Sequence, residues 1–332
     1  MDTSHPLVAA MWLVLETPSA RVVDRVLSTS SAMIDAELGR LGLTREEREE
    51  ARDQWEEFRQ DFEWVTLLAA VVEMVEQQRG NHDARIPHWA DPVDLGANGR
   101  LLYFYLSAIC AEGTRSFLFD SGCPSDLIES TLSDVARHAA IHRRKWGLNG
   151  VDAAWWMLPV LRGELIGIGS LQFHRVNLGV GSISPTGWYT KSEINELGVG
   201  FRNGDESLGI HIPDGVSLTP DALCETIERA RSVLGSMWPS GQRRLATCDS
   251  WLLDTQLMDY LPPTSNIIQF QQMFSLVPRW TEDDKDALEY VFRRPGTTLS
   301  DLPQTTSLER AIVDLLRRGG HWRTRVGWFD FD

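Results

Sequence analysis

The hydrophobic period of the chain changes near Gly150, and this limits the fold more than any other feature. Before that point apolar residues recur every three to four positions, the spacing of one helix face. Examples are "RVVDRVLSTSSAMIDAELGRLGL" and "PSDLIESTLSDVARHAAIHRRKWG". "TREEREEARDQWEEFRQDFEWVTLLAAVVEMVEQQRG" reads as one charged helix that turns apolar toward its C-terminal end, with Thr44 and Glu47 forming a capping box at its start. After Gly150 the apolar runs shorten and alternate, as half-buried strands do. The expected organisation is α+β: a helical domain over residues 1–147, then a mixed β-sheet flanked by helices over residues 148–332.

In the second half, "AAWWMLPVLRG" and "ELIGIGSLQFHRV" are apolar stretches split by an Arg-Gly turn. Read as a strand, the latter puts Ile166, Ile168, Ser170 and Gln172 on one face. "SLGIHIPDGVSLTPDAL" reads as strand, sharp loop and helix. Thr219 is a good N-cap there and Pro220 a good first helical residue. "RRLATCDSWLL" is a strand, and "DTQLMDYL" a short helix stopped by Pro262 and Pro263. "NIIQFQQMFSLV" alternates, with Ile268, Phe270, Phe274 and Leu276 on one face. "SLERAIVDLLRRGG" is a helix and "HWRTRVGWFDF" the last strand. The order β-β-β-α-β-α-β-α-β implies an antiparallel meander, a crossover helix and a mixed sheet of six or seven strands.

Charge and cysteine content narrow the function. A formal net charge of -15 repels phosphate backbones and argues against nucleic acid as a general partner, while leaving room for an anionic ligand in a local pocket. The four cysteines show no Cys-x-x-Cys pairing and read as reduced thiols. With no signal-like N-terminus and no apolar run of about 20 residues, the expectation is a cytoplasmic protein with no membrane partner. No metal is expected. His138 and His142 are four apart on a helix, but no glutamate occupies the catalytic position between them, and a solvated helix face is the simpler reading. "GVGSISPTGWYTKSE" lacks the Lys-Ser/Thr pair of a phosphate loop.

Four phrases carry a family resemblance: "GSLQFHRVN", "GIHIPDGVSLTPDA", "CDSWLLDTQLMDYLPPTSNIIQFQQMF" and "TSLERAIVDLLRRGGHWRTRVGWF". They resemble a branch of the GNAT superfamily, the two-domain bacterial N-acyltransferases similar to those that acylate an amino-sugar of teicoplanin-type glycopeptides. The resemblance implies an acyltransferase with a GNAT-like C-terminal domain. Its donor would be acyl-CoA, or an acyl-pantetheine on an acyl carrier protein, entering a V-shaped opening between central strands. Its acceptor would be an amine of a small molecule or natural product. The donor site would fall on Ile210, Ile212, Pro213, Gly215, Val216, Ser217, Leu218 and Thr219. The superfamily's usual Gln/Arg-x-x-Gly-x-Gly/Ala pattern is absent there, and Asp214 and Asp221 oppose a phosphate, so arginines such as Arg243 and Arg244 are alternative phosphate holders.

Acyl transfer to an amine needs a group to take a proton and a group to return one to the leaving sulfur. His211 alternates with Ile210 and Ile212 at the end of the strand that leads to the donor loop. From its residues alone it reads first as a half-exposed scaffold histidine; the resemblance makes it the general base. Tyr260 is the corresponding acid, or a space-filling tyrosine. Gln172, His174, Trp188, Ser250 and Trp251 are candidates to line the acceptor site, with strand-end, capping or core roles as the alternatives. Two other functions compete with the enzyme: a non-catalytic module that keeps the fold, and a helical adaptor presenting the charged helices around residues 44–62.

Overall fold

The computed structural model describes residues 6–87, 89, 95–178, 195, 204–239 and 244–331. The chain divides into two compact units between Ile166 and Gly167. Nine helices are described in the first: α1 (Pro6–Trp12), α2 (Ala20–Ser28), α3 (Ser31–Arg40), α4 (Arg45–Gln60), α5 (Phe62–Gln77), α6 (Gly96–Asp120), α7 (Ser125–Leu132), α8 (Asp134–Trp146) and α9 (Met157–Leu161). The box that opens α4 is formed as expected: Glu47 N–H donates to Thr44 Oγ1 at 3.3 Å and Thr44 N–H to Glu47 Oε2 at 2.7 Å. The expected single helix over residues 44–80 is two. Asp61 leaves the helical conformation and accepts from the N–H groups of Glu63 and Trp64, which caps a new helix. The break suits the sequence, because α4 is amphipathic whereas α5 is buried along most of its length. Trp55, Phe58 and Tyr105 pack at the α4–α6 contact, their rings 4.6 and 4.8 Å from Tyr105.

His138 and His142 do not form a solvated face. Their Nδ1 atoms meet the carbonyls of Asp152 (2.7 Å) and Leu148 (2.9 Å), so both rings fasten the turn after α8. The change of texture at residues 147–148 coincides with the end of α8. The compact division lies later because Trp156–Leu161, read as an apolar strand-like stretch, is helical and packs on α6, α7 and α8.

The sheet comprises strands β1 (Leu165–Ile168), which straddles the division, and β2 (Leu171–Asn177), β3 (Glu206–His211), β4 (Leu245–Ser250), β5 (Ser275–Glu282) and β6 (Arg323–Asp330) of the second unit, in order β1-β2-β3-β4-β6-β5. Helices α10 (Pro220–Met237), α11 (Asn266–Gln271), α12 (Asp284–Phe292) and α13 (Ser307–Arg317) connect them. β3 and β4 are parallel, joined by the α10 crossover; the β2/β3, β4/β6 and β5/β6 pairs are antiparallel.

Two strand readings are corrected. "ELIGIGSLQFHRV" is a hairpin: Gly169 sits at φ +57°, and a Cβ there would lie 2.2 Å from Thr226 Oγ1. That oxygen accepts from the Ser170 N–H at 2.9 Å, so α10 clasps the turn and only glycine fits. "NIIQFQQMFSLV" is α11 followed by the start of β5. Ser265 caps the helix by accepting from the Ile268 N–H at 3.3 Å, so the two apolar pairs belong to different elements.

Candidate active site

Strand pairing decides which side chains meet. On β2 and β3, Gln172 faces His211, His174 faces Gly209, and Val176 faces Ser207. Across the parallel pair, Ser207 faces Leu245 and Gly209 faces Thr247. One face of the sheet therefore carries Gln172, His174, Gly209, His211 and Thr247, with Asp249 the next residue of that face along β4. The opposite face carries Phe173, Leu208 and Ile210. α10 and the chain's last aromatic pack there: Phe173 lies 5.9 Å from Phe331, and Arg231 of α10 lies over the same ring.

The β3/β4 register ends at Gly209 and Thr247, although β3 continues to His211 and β4 to Ser250. Parallel strands that stop pairing leave backbone groups and the facing side chains of that end available to a ligand. His211 stands at this end of the ladder. Its ring lies 5.8 Å from that of His174, which is 2% exposed. Burial, and secondarily the nearby His174, pushes the His211 pKa down to about 3, so the imidazole is neutral at physiological pH.

Beyond His211 the chain runs through the donor loop expected from the sequence. Gly215 takes φ +76° with open space on its side-chain face. Gly215, Ser217 and Thr219 are exposed, whereas Ile210 is buried on the α10 face and so offers a ligand only its backbone. Thr219 occupies the N-cap position of α10, but its side chain makes no cap hydrogen bond; its hydroxyl pairs instead with Ser217 Oγ at 3.3 Å. The first-turn N–H groups of α10, with the helix dipole, suit an anion. Arg244 does not serve the loop. It is buried, donates to the Trp238 carbonyl at 3.3 Å and lies over Phe331. Trp188 and Arg243 lie outside the described residues.

The remaining candidates go elsewhere. Ser250 Oγ caps the next turn by accepting from the Leu252 N–H at 3.1 Å. Trp251 is buried in a small core with Leu257, Ile312 and Trp322. These are the capping and core roles given above as the alternatives to lining the acceptor site. Tyr260 packs against the same core, 6.1 Å from the Trp322 ring. Burial first, and the nearby Asp314 carboxylate on α13 second, raise its pKa. Its surroundings are that core rather than the His211 face. The sequence reading passed over Gly209. An isolated glycine inside an alternating strand is itself a signal of close approach, and here it lets two imidazoles meet.

The chain matches the family model "N-acyltransferase N-terminal domain" over residues 33–163 and "GNAT-like C-terminal domain" over residues 165–329. It is similar to an acyltransferase solved in complex with decanoyl-CoA and teicoplanin, at 31% identity and TM-score 0.76, covering 89% of this chain and 86% of that one. An acyltransferase mutant solved with octanoyl-CoA is 27% identical, with TM-score 0.78 and coverage of 99% and 96%. No curated protein matches. With both units matched in order and a solved relative above 30% identity along most of its length, the chain belongs to the acyltransferases that join an N-acyltransferase N-terminal domain to a GNAT-like C-terminal domain.

Proposed function

We propose that this acyltransferase moves an acyl group from acyl-CoA to an amine of a natural-product acceptor, with His211 as the base. One observation carries the reading: a neutral imidazole stands where the β3/β4 ladder ends, directly before an exposed loop and an uncapped helix N-terminus. The relatives crystallised with acyl-CoA and with teicoplanin support the donor and acceptor class. The loop holds no lysine or arginine between Ile212 and Asp221, so the donor's phosphates would rest on backbone N–H groups and the α10 dipole rather than on side-chain charge. A donor carried on a protein's pantetheine arm presents the same thioester with fewer phosphates. The acidic residues Asp214 and Asp221 make that source an alternative worth testing beside CoA.

The bound thioester supplies an activated acyl carbon. As the acceptor nitrogen bonds to that carbon its proton becomes acidic and passes to the His211 imidazole; the carbon–sulfur bond breaks, the thiolate takes a proton from solvent, and the His211 imidazolium returns its own proton to solvent. A base whose pKa lies near 3 is too weak to strip a free ammonium. Its proton transfer therefore accompanies bond formation, and the acceptor must arrive as the free amine. Tyr260 packs against the core that holds Trp251 and Trp322, so we assign it to the scaffold and not to the leaving sulfur.

His211→Ala is expected to lower kcat by about 10²- to 10⁴-fold, the usual worth of a positioned base, with donor Kd nearly unchanged. Acyl-CoA should also raise the melting temperature of the wild type. Wild-type turnover in the variant would remove His211 from the reaction. Absence of binding by both acyl-CoA and acyl carrier protein would remove the donor class.

A further inference from the structure

We propose that His174 is a positioning residue for acyl transfer, acting through His211, whose imidazole it seats across the side-chain-free backbone of Gly209. The proposal rests on His211 being the base. Its first ground is register. His174 is paired with Gly209 and Gln172 with His211, so His174 and His211 are diagonal neighbours on one face. Diagonal partners are within reach only of large side chains.

The second ground is space. A Cβ at Gly209 would lie 3.3 Å from His211 Nε2, 3.5 Å from His174 Cβ and 3.6 Å from the His174 carbonyl oxygen. The His211 ring therefore folds back over residue 209, and a Cβ there would press it aside by a few tenths of an ångström. With the rings 5.8 Å apart and 46° between their planes, His174 forms one wall of that seat. His174 is nearly inaccessible, so a direct role on the acceptor does not suit it.

The third ground is electrostatic. Two imidazoles this close do not both carry charge without strong repulsion, and burial favours the neutral form of His211. The residues facing His211 from β2 are Gln172 and His174; those of the same face on β4 are Thr247 and the carboxylate Asp249. His174 acts on His211 in the same direction as burial. The seat thus fixes the direction of the ring and keeps it in the neutral form.

A double-mutant cycle on the full-length chain tests the proposal, using His174→Ala, His211→Ala and the pair, with kcat, acyl-CoA Kd and ¹⁵N-histidine NMR titration. His174→Ala should lose about 10-fold in kcat, as expected for displacing a catalytic group by a fraction of an ångström, with donor Kd unchanged. The pair should be no slower than His211→Ala alone, within about twofold, because groups that act as a unit are not additive. The His211 ring should titrate at higher pH in His174→Ala than in the wild type. Gly209→Ala should reduce kcat in the same way while His174 is intact. If His174→Ala does not fold, His174→Phe retains the wall, and its His211 titration should still move upward. Additive losses, unchanged kcat in His174→Ala, or an unmoved His211 titration overturns the positioning role while leaving the base. Wild-type turnover in His211→Ala overturns both.

Discussion

Gly169 and His211 show how single residues are fixed by neighbours far along the chain. Gly169 combines positive φ with a position against Thr226 of α10. An alanine there meets the left-handed penalty of about 1–2 kcal/mol and must also displace the threonine that caps the hairpin. Gly169→Ala should lower unfolding free energy by at least that amount in urea titrations; an unchanged midpoint would mean the turn is not clasped as described. His211 makes a pH prediction. Its folded pKa, near 3, lies below its unfolded value near 6.5, so the unfolded chain binds the extra proton in between. Its contribution to stability is intact above about pH 6.5 and is lost as pH falls toward 3. His211→Gln should therefore lose less melting temperature than the wild type between pH 6.5 and 4, and parallel curves would show that the imidazole is not kept neutral by the fold.

At the scale of elements, the segment after α9 is tied to the loop after α5 by a buried ion pair. Arg162 donates to both carboxylate oxygens of Glu164 at 2.6 Å, to Gln78 Oε1 at 2.9 Å and to the Ala84 carbonyl at 3.1 Å. The Arg162 carbonyl accepts from the Gly80 N–H at 2.8 Å. Burial raises the Glu164 pKa to about 7 against the pull of Arg162, so the pair adds little net stability and chiefly defines where the loop runs. Removing one partner is a different matter, because it strands the other. Glu164→Ala should destabilise by about 3–5 kcal/mol and Glu164→Gln by less. Hydrogen exchange should quicken across residues 80–87 in the alanine variant, and protection equal to the wild type would show that the clamp does not hold the loop.

For the whole molecule, the decisive quantity is the net charge of -15 facing a polyanionic donor. If donor phosphates rest on backbone N–H groups, long-range repulsion is the chief ionic term, and salt relieves it by shortening the Debye length from about 30 Å at 0.01 M to about 8 Å at 0.15 M. KM for acyl-CoA should fall over that range. A KM that rises with salt would point to direct lysine or arginine contacts. Among the described residues no helix is long and apolar enough to cross a membrane.

The sequence by itself determined what is local. The change of period announced a helical half and a sheet-bearing half. The Thr44–Glu47 pair marked a helix start, and the run from His211 through Thr219 was legible as strand end, loop and helix entry. These signals are written in residues a few positions apart, where side-chain spacing and capping operate. It misread "ELIGIGSLQFHRV" and "NIIQFQQMFSLV", because a turn clasped by Thr226 and a helix of barely two turns leave alternation that passes for a strand. Which of the candidate side chains would meet was decided only by the tertiary structure. His174 reached His211 through the β2/β3 register, Trp251 went to the core, and the ladder ended at Gly209 and Thr247. Those outcomes depend on pairing between segments about 35 residues apart, a long-range choice that no local periodicity encodes.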